Sequence, residues 1–94
     1  MNVDQKRAIE YCKCKHTLDT LIFSLYSLEI NESNDKERID YTKQRVSDHL
    51  LHMYNLQPLY FLIDYDPNQM QGVRVVSKLY TEVYNETKRC MYEM

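Results

Sequence analysis

Glycine occurs once in these 94 residues, proline twice and tryptophan not at all. A chain of many short strands needs a turn signal about every ten residues, so this scarcity points away from all-β architectures and toward few, long elements. A single glycine also leaves no glycine-rich phosphate cradle, and there is no nucleophile elbow and no HExxH. The longest apolar run lies between Asp19 and Glu29, broken by Ser24 and Ser27, well short of the roughly 20 residues that cross a membrane. A net charge of −2 provides no general attraction to nucleic acid or anionic lipid. The opening MNVDQKRAIEY lacks the apolar core and small-residue cleavage site of a secretory signal. Three cysteines, an odd number in no disulfide spacing, suit a reducing compartment. A cytoplasmic location without membrane insertion is expected.

What is present is helical periodicity. Ile, Leu, Val and Phe make up 23 of 94 residues, enough to fold, and the length suits one domain over residues 1–94. Tyr11, Cys14, Leu18, Leu21, Leu25 and Leu28 recur at steps of three and four, which places them on one stripe of a helix running from Val3 or Asp4 to Ile30. The polar stretch NESND then supplies a turn, with a Ser or Asn available as the next N-cap. A second helix carries Ile39, Val46, Leu50 and Met53, with Thr42 and His49 between them, until Pro58 ends or kinks it. Asp66-Pro67-Asn68-Gln69 reads as a third start: an acidic cap, proline at the first helical position and Gln three residues after the cap. From there Val73, Val76, Tyr80, Val83, Thr87 and Cys90 keep the same spacing, weakened at Gly72. The expected fold is all-α: an antiparallel, up-down-up bundle of three long helices with a short helical segment after Pro58.

Tyr11-Cys12-Lys13-Cys14-Lys15-His16 is the one stretch that suggests metal chemistry. On a helix, residues two apart point roughly 200° apart, so Cys12 and Cys14 cannot share an ion. Cys12 and His16 lie one turn apart, as do His49 and His52, and either pair suits a zinc-type ion. If the first two helices fold back about residue 33, positions whose numbers sum to about 66 lie level, which sets residues 12–16 opposite 50–54. A site from Cys12, His16, His49 and His52 is one functional alternative. Against it, the leucine stripe turns Cys14 inward and Cys12 and His16 away, and cysteine is more often a small core hydrophobe.

Nine tyrosines are the compositional oddity. Tyr41, Tyr54, Tyr65 and Tyr92 fall off the stripes and are expected to be partly exposed, and tyrosine is enriched at binding surfaces because it joins a large apolar face to a polar tip. Leu51, Tyr54, Leu59, Tyr60, Phe61 and Tyr65 are therefore the expected partner-binding patch, unless the chain after Pro58 folds back over Leu51 and Tyr54. The expected function is a non-enzymatic protein–protein interaction module, a regulator, inhibitor or adaptor without a cofactor, whose partner is another protein and which also pairs with itself as a homodimer. Nucleic acid is a disfavoured second alternative, because the basic clusters Lys6, Arg7, Lys13 and Lys15; Lys36, Arg38, Lys43 and Arg45; and Lys88 and Arg89 are each interleaved with acids, apart from the Lys13 to Lys15 stretch.

Overall fold

The first helix begins as its sequence dictates. Asn2 accepts the N–H of Gln5 at 2.8 Å while the Gln5 side chain accepts the N–H of Asn2 at 3.1 Å, a reciprocal capping box. The computed structural model describes residues 2–58, 65–70 and 77–93. Among them are four helices and no strand: α1 (Val3–Ile30), α2 (Lys36–Leu56), α3 (Pro67–Met70) and α4 (Lys78–Glu93). The expected all-α class, three long helices with a short helical piece, is what is observed. Residues 59–64, where a helical segment directly after Pro58 was expected, lie outside the described residues.

α1 buries Tyr11, Leu18, Leu21, Ile22 and Leu25, with Cys14 half-buried at the margin of the core. It ends in a Schellman arrangement. The N–H of Ser33 reaches the Leu28 carbonyl at 3.0 Å and that of Glu32 reaches the Glu29 carbonyl at 3.1 Å. Glu32 takes the left-handed conformation this requires, at φ 50°, a position where glycine is the usual occupant. α2 is capped by Asp35, whose carboxylate accepts the N–H of Arg38 at 3.1 Å, rather than by the neighbouring Ser or Asn. Ser33 instead accepts the N–H of Asp35 at 3.2 Å and so shapes the turn that delivers the cap. Thr42, Val46, Leu50 and Met53 form the buried face of α2, the Thr42 hydroxyl donating to the Arg38 carbonyl at 2.8 Å. The helix stops at Leu56, just before Pro58, as expected.

The third long helix starts later than Asp66-Pro67 implies. Asp66 does cap a turn, its carboxylate accepting the N–H of Asn68 at 2.9 Å, and α3 is described over Pro67–Met70. The long helix begins after Ser77, whose hydroxyl accepts the N–H of Tyr80 at 2.9 Å. Glu29, in the last turn of α1, accepts the N–H of Lys78 at 2.8 Å, so the negative end of one helix meets the positive end of another through a carboxylate. Val73 and Val76 lie outside the described residues. Tyr80, Val83 and Thr87 are buried as the stripe predicts and Tyr84 is buried beside them, whereas Cys90 is exposed.

The later start changes the direction of the last helix. Lys43 pairs with Glu82 at 3.5 Å, and the Ser47 hydroxyl meets the Thr87 hydroxyl at 3.0 Å. The groove between the two helices is lined by residues 40 to 51 of α2 and 82 to 90 of α4, the same two stretches that these contacts join. α4 therefore runs parallel to α2 and antiparallel to α1, an up-down-down order in place of the expected up-down-up. The physical reason is distance: the chain leaves α2 at Gln57 and re-enters a long helix only at Lys78, beside the far end of α1, which returns it to the level where α2 began. The helix pairs α1–α2, α2–α4 and α1–α4 all pack, and α3 touches α4.

Candidate functional site

Tyr65, expected at an exposed patch, is completely buried. Its hydroxyl donates to the Asp19 carboxylate at 3.0 Å and sits 3.5 Å from the Lys15 carbonyl, both on α1. Its own carbonyl accepts the Tyr80 hydroxyl at 2.6 Å. Tyr65 is thus a tie between α1 and α4 and offers nothing to a partner. Leu51 and Tyr54 are half-buried and pack against the core. Leu59, Tyr60 and Phe61 lie outside the described residues. Tyr41 is exposed, with the Arg45 guanidinium 5.9 Å from its ring centre, and the Tyr92 side chain lies outside what the structure describes.

The expected metal quartet separates. Cys12 and His16 are exposed on the far side of α1. His49 turns its Nδ1 to the Arg45 carbonyl, 2.8 Å away within α2. Only His52 reaches across to α1, and there it meets Glu10, Nε2 to Oε1 at 3.4 Å. Cys14 completes this group: one potential ligand atom from each of Glu10, Cys14 and His52 lies within 4.8 Å of the others. The levels are those the fold-back about residue 33 requires, since 14 and 52 sum to 66. Burial and the neighbouring Glu10 carboxylate both push the Cys14 thiol above its ordinary pKa, so without a cation it is a neutral thiol at neutral pH. Glu10 escaped the sequence reading because carboxylates are plentiful, yet it lies one turn before Cys14, on the same helix face, and that spacing was legible.

A second feature is the outward face of α1. Asn2, Gln5, Ile9, Cys12, His16, Thr20, Phe23, Ser27 and Ile30 follow one another at steps of three and four, so they form a stripe opposite the leucines. It contains no Asp, Glu, Lys or Arg. Phe23 is 61% exposed, Ile30 57% and Ile9 43%. Along one flank, Ala8, Ile9, Cys12, Lys13, His16 and Thr17 border a shallow, mainly apolar depression. A solvent-facing helix surface is ordinarily charged, and the remainder of α1 is: Asp4, Lys6, Arg7, Glu10, Lys13, Lys15, Asp19 and Glu29 all lie off this stripe. None of the described helices is long and apolar enough to cross a membrane. Comparison with protein-family models, with curated proteins and with solved structures finds no match.

Proposed function

We propose that the protein is a non-enzymatic protein–protein interaction module whose docking surface is the uncharged outer face of α1, and that the occupant of this face is a second copy of the chain. One observation carries the reading: Ile9, His16, Phe23 and Ile30 stand seven residues apart on an exposed face without a formal charge. This spacing is self-complementary under a two-fold axis. Two α1 helices laid antiparallel bring Ile9 of each chain onto Ile30 of the other, and His16 onto Phe23. A seven-residue repeat drifts about 20° per heptad on a straight helix, which a crossing angle near 20° absorbs. With no Asp, Glu, Lys or Arg on the face, self-pairing meets no like-charge repulsion along its centre line.

The size of the face limits its strength. A helix of 28 residues is about 42 Å long, so a strip about 10 Å wide covers on the order of 400 Å² per copy. Specific, stable interfaces bury about 800 Å² per partner, so the pairing belongs to the weak, reversible class. Such a face suits a regulator that exchanges its own copy for another protein.

Sedimentation velocity across a concentration series tests this. The expected result is a monomer–dimer equilibrium in the micromolar range that is abolished by Phe23→Lys with unchanged helicity. A chain that remains monomeric at high micromolar concentration, or a dimer indifferent to Phe23→Lys and Ile30→Lys, would falsify the reading.

A further inference from the structure

We propose that Glu10, Cys14 and His52 form a binding site for a divalent transition-metal ion of the zinc class, clasping α1 to α2 and leaving one coordination position for water or an outside ligand. The site is independent of the outer α1 face, since Cys14 lies on the leucine stripe opposite that face and His52 on α2.

Three observations support it. The first is the donor set. One thiolate, one imidazole and one carboxylate match the preference of zinc and its neighbours, whereas magnesium and calcium take oxygen ligands. The second is distance. Metal–ligand bonds of about 2.0–2.3 Å in tetrahedral geometry put ligand atoms about 3.3–3.8 Å apart. Glu10 and His52 already stand at 3.4 Å, and the full trio lies within 4.8 Å, so an ion requires closure of about an ångström or less. The third is support. Glu10 and Cys14 are one turn apart within the 28-residue α1, and His52 lies in the last turns of the 21-residue α2, so all three stand on packed helices rather than on loops. Among the described residues no fourth ligating side chain joins them, which is the pattern of an open site rather than a closed structural one.

The chemistry is a ligand exchange without redox change. The ion loses water, a metal–sulfur bond replaces the Cys14 S–H, and that proton leaves to solvent. Glu10 and His52, now facing each other, turn the same two atoms onto the ion. Because the ligands come from two helices, the bound ion stabilises the folded state over the unfolded chain.

Cobalt(II) titration of the untagged full chain, followed by displacement with zinc, is the deciding experiment. The expected result is one ion per chain and a thiolate-to-cobalt charge-transfer absorption, with one proton released per ion. The absorption should persist in Cys12→Ser, disappear in Cys14→Ser, and need at least about tenfold more cobalt in Glu10→Gln and His52→Gln. Circular dichroism checks that each variant stays helical, and Glu10→Gln, an exposed and near-isosteric change, keeps the test valid if Cys14→Ser unfolds. No binding, an absorption that survives Cys14→Ser, loss of the absorption in Cys12→Ser, or half an ion per chain would each overturn the proposal.

Discussion

Tyr65 shows how far a single side chain can depart from what its position in the sequence suggests. It belongs to no stripe, which makes it look like a surface residue, yet it is fully buried because its hydroxyl finds Asp19 and its backbone carbonyl receives Tyr80. A tyrosine with its polar tip bonded can be buried as readily as an apolar residue of its size. Removing only that tip isolates the contribution: Tyr65→Phe keeps the ring and should cost about 1 kcal/mol. For a chain of this length that lowers the melting temperature by about 4–8 °C, measurable by thermal circular dichroism. Unchanged melting would mean that the ring alone holds the segment. Cys14 is the complementary case: its place on the leucine stripe implied a core position, the structure leaves it half-buried at the core margin, and its neighbours Glu10 and His52 emerge only when α2 is laid against α1.

At the scale of elements, helix ends were partly legible and helix faces largely so. The Asp66 cap was legible, since its carboxylate does accept the N–H of Asn68, but a cap marks where a helix starts and not how far it runs. Ser77 carries no clear sequence signal, having no Glu or Gln three residues on to complete a capping box, and the other support of this helix start, Glu29 accepting the Lys78 N–H, comes from a helix 49 positions away. The α1 terminus offers a test of local strain. Glu32 holds a left-handed conformation that costs a residue with a side chain about 1 kcal/mol, so Glu32→Gly should stabilise the protein by about 0.5–1 kcal/mol in denaturant unfolding. A destabilisation would show that the Glu32 side chain makes up for its backbone. The outer face of α1 was equally open to inspection as a three-four stripe without charge, but the leucine stripe on the opposite side drew the stronger pattern.

For the whole molecule, the decisive feature is the direction of α4. Parallel packing on α2 sets Ser47 beside Thr87, with hydroxyls 3.0 Å apart. Their replacement by cysteines, Ser47→Cys with Thr87→Cys in a background where the native cysteines are serine, should form a disulfide within one chain. A cross-link across the 40-residue separation should stabilise the fold by up to about 4 kcal/mol. Mass spectrometry of the oxidised protein checks it, and an absent or exclusively interchain bond would contradict the parallel arrangement. The sequence by itself determined the helical class, the extent of α1, the stop before Pro58 and the stripes that form the core, because periodicity and capping act over a few residues and need no partner. Only the tertiary structure decided that α4 descends beside α2, that Tyr65 is buried, and that Glu10, Cys14 and His52 meet. Those outcomes depend on where the chain between Gln57 and Lys78 returns to the bundle and on which helix faces then come level, and no local pattern encodes either.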